Sequence, residues 1–195
     1  MEKYYQRLAT KYEGSTKYLT SLELTYFRML PAPKHNSYLA GRFLLKALYR
    51  DHYEPISYCH IETGYQNHKP YILNNPSLCA SLSHSGAYAV AALATSTIGI
   101  DIEVKQASNR LSKFITTEEE LRAARGTSAD TPSKVRTLLW CAKEAAYKAD
   151  SLSAAPWDYT LYRNEEELFI RRAGLKWSIS VFTNRNYQFC IAKLI

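Results

Sequence analysis

The segment TIGIDIEVK, residues 97–105, restricts the fold most, because its apolar and polar residues alternate. Side chains on an extended strand point alternately to its two faces, so Asp101 and Glu103 share the face opposite the isoleucines. The pattern predicts a half-buried strand. Two carboxylates at this spacing can share a hard cation such as Mg²⁺, although such a pair is more often a solvated outer face.

Helices and strands are predicted in both halves of the chain. Apolar residues at helical spacing predict helices over residues 37–50, 117–125 and 133–149, the second with Thr117 as its N-cap ahead of Glu120. Alternating or apolar runs predict strands at 56–63, around ASLSHSGAYAVAAL and through the C-terminal tail, with a turn at Lys69 and Pro70. No linker rich in Pro, Gly or Ser separates the halves. We therefore expect an α+β fold of two intimately packed halves, residues 1–95 and 96–195.

Composition narrows the class of protein. A chain of 195 residues with 46% hydrophobic residues can form a sizeable core. Its four cysteines form no C-x-x-C pair, so neither a zinc site nor a disulfide framework is indicated. The first residues lack the apolar core of a signal peptide, and no stretch reaches the roughly 20 apolar residues that span a bilayer. We expect a cytoplasmic protein without membrane contact.

The helix over residues 133–149 carries a second chemical signal, WCAKEAAYKA. Small apolar residues form one of its faces, whereas Trp140, Glu144, Tyr147 and Lys148 group on the other. Glu144 and Lys148 alone could be an ordinary surface ion pair between positions i and i+4. Together with the acidic strand, however, they indicate a site.

Several polar groups could bind phosphate. The segment SLSHSG, residues 81–86, offers two hydroxyl groups, an imidazole and loop amides. Lys69, and Arg42 with Lys46 one helical turn later, could add cations. Each of these basic residues could equally be a plain surface charge.

Taken in order, SLSHSG, GIDIE and LWCAKEAAYK resemble the signature blocks of the 4′-phosphopantetheinyl transferases of the two-halved, Sfp-type class. With HKPYIL ahead of them, the resemblance covers residues 68–149. It implies two similar α+β halves packed as a pseudo-dimer, with coenzyme A bound in the cleft between them and a requirement for Mg²⁺. The pseudo-dimer also implies a monomeric chain.

The resemblance assigns roles position by position. Asp101, Glu103 and Glu144 are implied as magnesium ligands, Glu144 and Lys148 as catalytic residues, and Lys143 as a phosphate contact. Ser83 and His84 are implied to hold phosphates of coenzyme A. Lys69 is implied at the nucleotide end and, less directly, Arg42 on the first-half helix. Where such proteins often carry an arginine this chain has Ser37, which leaves Lys34, His35 and Arg42 as alternative contacts for the 3′-phosphate.

The activity implied is transfer of the 4′-phosphopantetheine group from coenzyme A to a serine of an apo acyl, polyketide or peptidyl carrier protein. The products would be the holo carrier protein and adenosine 3′,5′-bisphosphate. Acidic carrier proteins would suit the formal net charge of +7.

Two alternatives stay open at this stage. A nucleic-acid-binding module would also suit the net charge of +7 and the sixteen tyrosines. Its basic and aromatic residues are not concentrated in one segment, so we expect no nucleic acid partner. A catalytically silent scaffold that binds coenzyme A or a carrier protein is opposed by the intact set of Asp101, Glu103, Glu144 and Lys148.

Overall fold

The computed structural model of the chain describes residues 4–10, 13–67, 69–104, 117–125, 131–150 and 154–195. The chain divides into two compact units, Met1–Ser96 and Thr97–Ile195. Each unit combines antiparallel strands with helices, so the predicted α+β class is confirmed. Within the described ranges, no helix is both long and apolar enough to cross a membrane.

The first unit packs a long helix on a small antiparallel sheet. Its described elements are β1 (Tyr4–Thr10), α1 (Ser21–Met29), α2 (His35–His52), β2 (Thr63–Gln66), β3 (Lys69–Ile72), β4 (Cys79–Ser85) and β5 (Tyr88–Ala94). Strands β1, β5 and β4 pair in that order, and β2 pairs with β3. The helix predicted over residues 37–50 is confirmed as α2, whose Leu44 and Leu45 are fully buried in one core with Ala91 and Leu93 of β5.

Two predictions in this unit are wrong. Residues 56–62 do not form a strand, because the N–H groups of His60 and Ile61 bond to carbonyls three residues earlier and close a 3₁₀ turn over Tyr58–His60. Of the predicted strand, only Thr63 is in one, as the first residue of β2. Lys69 and Pro70 do not form a turn but begin β3. A proline is tolerated there because a two-stranded sheet leaves one side of β3 outside the ladder.

Sequence analysis also missed β1 and α1. The signal for α1 is present, because Thr20 and Glu23 form a capping box. The Thr20 hydroxyl accepts a hydrogen bond from the Glu23 N–H at 3.3 Å, and the Glu23 carboxylate accepts one from the Thr20 N–H at 2.9 Å. This pair of bonds fixes the start of the helix.

The second unit lays a long helix across a five-stranded antiparallel sheet. Its described elements are β6 (Ile98–Val104), α3 (Glu118–Arg125), α4 (Pro132–Ala149), β7 (Thr160–Asn164), β8 (Glu167–Arg172), β9 (Leu175–Thr183) and β10 (Tyr187–Leu194). The strand order is β6-β10-β9-β8-β7. Both predicted helices and the strands of the C-terminal tail are confirmed. The predicted N-cap is also confirmed, because the Thr117 hydroxyl accepts a hydrogen bond from the Glu120 N–H at 3.2 Å.

The two units repeat one buried ion pair. In the first unit Lys46 of α2 contacts Glu23 of α1, and both side chains are buried. In the second unit Lys143 of α4 contacts Glu120 of α3 at 2.8 Å, and both are again buried. Each lysine follows its glutamate by 23 positions. The same arrangement of a short helix, a long helix and a buried charge pair therefore recurs.

Each glutamate also binds backbone of a following strand. Glu23 accepts a hydrogen bond from the Thr63 N–H of β2 at 3.1 Å, and Glu120 accepts one from the Leu161 N–H of β7 at 2.9 Å. A buried carboxylate needs such donors, since burial without partners costs several kcal/mol. Each carboxylate thus ties two helices and one strand together. The repeat supports the prediction of two similar halves.

Replacing one partner should destabilise either unit. We expect Lys46→Met and Lys143→Met each to lower the free energy of unfolding by about 3–5 kcal/mol, because each leaves a buried carboxylate without its cation. Urea unfolding followed by circular dichroism measures the change. The exposed Lys17→Met is the control and should stay near the wild-type value. Unchanged stability of Lys143→Met would contradict the structural role of its ion pair.

Candidate active site

The acidic strand and the long helix of the second unit touch at Gly99. A Cβ atom at this position would lie 1.9 Å from the carbonyl oxygen of Ala145 and 2.5 Å from the backbone nitrogen of Ala149. Glycine in a strand marks such close approaches of backbone. The Cys141 thiol strengthens the contact by donating to the carbonyl oxygen of Asp101 at 3.2 Å. Strand β6 and helix α4 therefore meet backbone to backbone.

This contact buries Asp101 and leaves Glu103 half-buried on the acidic face of β6. The strand is buried on both faces from Ile98 to Ile102, so the prediction of a half-buried strand is wrong over these residues. Asp101 is 4% exposed. A carboxylate can be covered in this way when the covering element brings an opposite charge. Helix α4 brings Lys148.

Lys148 and Asp101 form the central ion pair of the site. The ammonium lies 2.6 Å from the Asp101 carboxylate, and the lysine side chain keeps 26% of its surface exposed. Burial lowers the pKa of Lys148, but the Asp101 carboxylate and its hydrogen bond outweigh burial and raise that pKa overall. Lys148 therefore stays protonated, partly open to solvent, and held by the acidic strand.

Glu144 lies one helical turn before Lys148 and is half-buried. Burial and the nearby Asp101 carboxylate raise its pKa to about 7, a rise that Lys148 opposes and Glu103 assists. A carboxyl group that titrates near neutral pH can both accept and release a proton there. Such perturbed groups are enriched at catalytic sites, although structural networks also produce them.

Glu103 is oriented by a third residue of α4. The indole N–H of Trp140 donates to the Glu103 carboxylate at 3.1 Å. Trp140, Glu144 and Lys148 follow one another at intervals of four residues, so they lie along one side of the helix. The prediction that these three side chains share one face of the helix is confirmed. In the structure, Trp140 and Lys148 of that face contact Glu103 and Asp101 of β6.

The donor set suits a hard divalent cation. Asp101, Glu103 and Glu144 supply carboxylate oxygens, which Mg²⁺ prefers, and burial together with the charges of Asp101 and Glu103 raises the pKa of Glu144. The chemistry of the three carboxylates therefore fits the ion. Within the described residues, however, no three His, Cys, Asp or Glu side chains converge into a metal-binding group, so their assignment as ligands stays a prediction.

Lys143 lies apart from this acidic group. Its side chain is 1% exposed and its ammonium contacts Glu120. Glu120 belongs to α3, whereas Asp101 and Glu103 belong to β6. A role in phosphate binding stays a prediction for Lys143, and its burial favours a structural role.

In the first unit, Ser83 and His84 are consecutive on β4. Ser83 is half-buried and His84 is exposed. Successive side chains of a strand point to opposite faces, and the α2 face is marked by Leu82, which would lie 3.3 Å from a Cβ atom at Gly41. His84 therefore shares the α2 side, whereas Ser83 points to the other. Lys69 opens β3 opposite Gln66 and is half-buried.

Arg42 is buried among polar and aromatic partners. Its guanidinium donates to the Thr63 hydroxyl at 2.7 Å and lies between the rings of Tyr38 and Tyr65, at 4.8 and 4.7 Å from their centroids. Lys46, the other basic residue considered on this helix, is fully buried on Glu23. Of these two basic residues, only Arg42 lies beside an exposed aromatic ring, that of Tyr65, which is 54% exposed.

For three residues that shape the site, sequence analysis missed the contact that matters. Gly99 could have been found as a glycine inside an apolar strand, the usual mark of close backbone approach. Glu120 was noted for its place in the helix cap, but its partner Lys143 is distant in sequence. Trp140 was grouped correctly on α4, whereas its bond to Glu103 depends on how the helix crosses the strand.

The contact at Gly99 should be sensitive to one methyl group. We expect Gly99→Ala to lower the free energy of unfolding by about 1–3 kcal/mol or more, because the new Cβ would overlap backbone of α4 that cannot move away like a side chain. Urea unfolding measures the loss. Gly41→Ala is the matched control, since its nearest neighbour is the flexible Leu82 side chain at 3.3 Å. Equal stability of the two variants would contradict the tight contact.

Comparisons with known proteins identify the second unit. The sequence model of the 4′-phosphopantetheinyl transferase superfamily matches residues 97–192, which include the acidic strand and all of α4. No curated protein sequence matches the chain. Among solved structures, the chain is similar to the crystal structure of Thermotoga maritima holo-acyl-carrier-protein synthase, at 21% identity and a TM-score of 0.39, covering 61% of this chain and 80% of that one. By this match, the second unit of the chain, over residues 97–192, belongs to the 4′-phosphopantetheinyl transferase superfamily.

Proposed function

We propose that this chain transfers the 4′-phosphopantetheine group of coenzyme A to a serine of an apo acyl, polyketide or peptidyl carrier protein. The observation that carries the proposal is the Asp101–Lys148 ion pair beside Glu144, within the region matched by the superfamily. A positioned cation can stabilise the departing phosphate, and a nearby carboxylate can accept the serine proton.

The reaction exchanges a phosphoanhydride bond of coenzyme A for a phosphoester bond to the carrier serine. The carrier serine oxygen would attack the phosphorus that bears the pantetheine arm, and the bond from that phosphorus to the oxygen of adenosine 3′,5′-bisphosphate would break. The serine proton would pass to the Glu144 carboxylate, which lies near the ion pair of Asp101 and Lys148. Lys148 would stabilise the negative charge on the departing phosphate oxygen.

Asp101, Glu103 and Glu144 are the residues that would hold Mg²⁺. When bound, the ion would neutralise charge on the diphosphate oxygens. Trp140 would keep the Glu103 carboxylate oriented through its indole N–H. Lys148, now 2.6 Å from Asp101, would then divide its charge between that carboxylate and the substrate phosphates.

Residues of the first unit would bind coenzyme A. We assign Ser83 and His84 to its phosphates, because a hydroxyl and an imidazole can both donate to phosphate oxygens. Lys69 and Arg42 would contact the nucleotide end, Arg42 with its guanidinium held rigidly by Thr63. Lys143 is not included, since its ion pair with Glu120 supports a role in positioning α4.

Mass spectrometry tests the activity directly. An apo acyl carrier protein incubated with the chain, coenzyme A and Mg²⁺ should gain the mass of one phosphopantetheine group, and EDTA should abolish the gain. Apo polyketide and peptidyl carrier proteins are tested in parallel. The absence of any gain on all three classes would contradict the proposal and favour a scaffold that binds without turnover.

The role of Glu144 has its own test. We expect Glu144→Gln to lower kcat by about 10²–10⁴-fold at saturating Mg²⁺, because an amide cannot accept the serine proton. The matched control is Glu119→Gln, an exposed position on α3, which should keep the wild-type rate. Wild-type turnover by Glu144→Gln would exclude this residue as the base.

A further inference from the structure

Thr63 joins the buried ion pair of the first unit to Arg42. The Thr63 side chain is 6% exposed. A threonine hydroxyl has one proton, a guanidinium can only donate, and an ionised carboxylate can only accept. The Thr63 hydroxyl therefore donates to the Glu23 carboxylate and accepts from the Arg42 guanidinium at 2.7 Å. Through Glu23 these contacts continue to Lys46.

This group of side chains carries one positive charge in excess. The charges of Lys46 and Glu23 balance each other. Arg42 is 3% exposed and forms no ion pair with a carboxylate in the described part of the chain. A buried charge without a counter-charge is unfavourable. The surroundings of Arg42 therefore favour the binding of an anion.

The second unit repeats the buried ion pair without this polar addition. The strand residue whose N–H binds the Glu120 carboxylate is Leu161, in the place of Thr63. Four residues before the buried lysine of the long helix lies Leu139, in the place of Arg42. Both leucines belong to the apolar core of that unit. The repeated arrangement therefore forms with two apolar residues where the first unit has a hydroxyl and a guanidinium.

Two aromatic rings hold the Arg42 guanidinium as well. It lies 4.8 Å from the centroid of the Tyr38 ring and 4.7 Å from that of the Tyr65 ring. The Tyr38 hydroxyl donates to the carbonyl oxygen of Glu23 at 3.3 Å, which fixes this ring to α1. Tyr65 lies on β2, which pairs with β3 where Lys69 begins that strand. Arg42 is thus held near the part of the first unit that carries Lys69.

We propose that Thr63 is a positioning residue for coenzyme A, whose hydroxyl orients Arg42 to receive the 3′-phosphate. This inference rests on the proposed function, in which Arg42 contacts the nucleotide end, where coenzyme A carries that phosphate. The Glu23 carboxylate binds the only hydroxyl proton of Thr63, so the oxygen lone pairs are left for the guanidinium. The phosphate supplies the counter-charge that Arg42 lacks.

Calorimetric titration of the full chain with coenzyme A and with 3′-dephospho-coenzyme A tests this role. Thr63→Val keeps the backbone bond to Glu23 but loses the hydroxyl. We expect it to weaken coenzyme A binding about 10-fold, because a misplaced guanidinium loses a charge-assisted bond, and to leave 3′-dephospho-coenzyme A binding unchanged. Thr63→Ser retains the hydroxyl and should keep the wild-type Kd. In the transfer assay, Thr63→Val should raise KM for coenzyme A without changing kcat.

A double-mutant cycle separates positioning from a general loss of structure. Arg42→Met should weaken coenzyme A binding, and adding Thr63→Val should weaken it no further, because Thr63 acts through Arg42. Leu161→Ala, which opens a cavity in the core of the second unit, is the control for lowered stability and should keep the wild-type Kd. If Thr63→Val does not fold, Thr63→Cys takes its place, since a thiol is a weak acceptor.

Several outcomes would overturn the positioning role and leave the proposed transfer standing. They are a wild-type Kd for coenzyme A in Thr63→Val, an equal loss on 3′-dephospho-coenzyme A, additive losses in the double variant, and an equal loss in Leu161→Ala. Selective weakening of coenzyme A binding by Thr63→Val, without a mass gain on any carrier protein by the wild-type chain, would instead overturn the proposed transfer alone.

Discussion

The backbone contact between β6 and α4 at Gly99 is the constraint on which the candidate site depends. Because no side chain separates the strand from the helix, the side chains that follow Gly99 on β6 lie within reach of those on α4. Asp101 thereby meets Lys148, and Glu103 meets Trp140. A wider spacing between the two elements would leave these groups to solvent, where their interactions would be weak.

The two lysines on α4 have different surroundings because they lie on different sides of the helix. Positions 143 and 148 are five residues apart and therefore point to different sides of the helix. Lys143 is directed at α3 and is buried on Glu120, whereas Lys148 is directed at β6 and keeps part of its surface open. One stabilises the fold, and the other remains available for chemistry.

The buried pair on Glu120 has its counterpart on Glu23 in the first unit. In both units a threonine caps the short helix, and the glutamate three residues later binds a lysine and a strand N–H. Together, the cap, the ion pair and the bond to the strand fix how the two helices pack, because any other packing would leave a charge buried without a partner. On its short helix the first unit also exposes Leu22, Tyr26 and Met29.

The sequence by itself determined the elements whose patterns are local. The alternation in GIDIE predicted β6, the helical spacing of small residues predicted α4, and Thr117 with Glu120 predicted the start of α3. The order of these blocks also indicated the family. The strand predicted over residues 56–63 was wrong, because an alternating pattern does not by itself supply a neighbouring strand to pair with.

Only the tertiary structure decided which charges are buried and which are open. Lys46, Lys143 and Lys148 look alike in the sequence, and their partners lie 23, 23 and 47 positions away. Such pairings depend on how helices cross strands, which follows from packing of whole elements and not from neighbouring residues. The burial of Asp101, and the raised pKa of the half-buried Glu144 beside it, could therefore be known only from the fold.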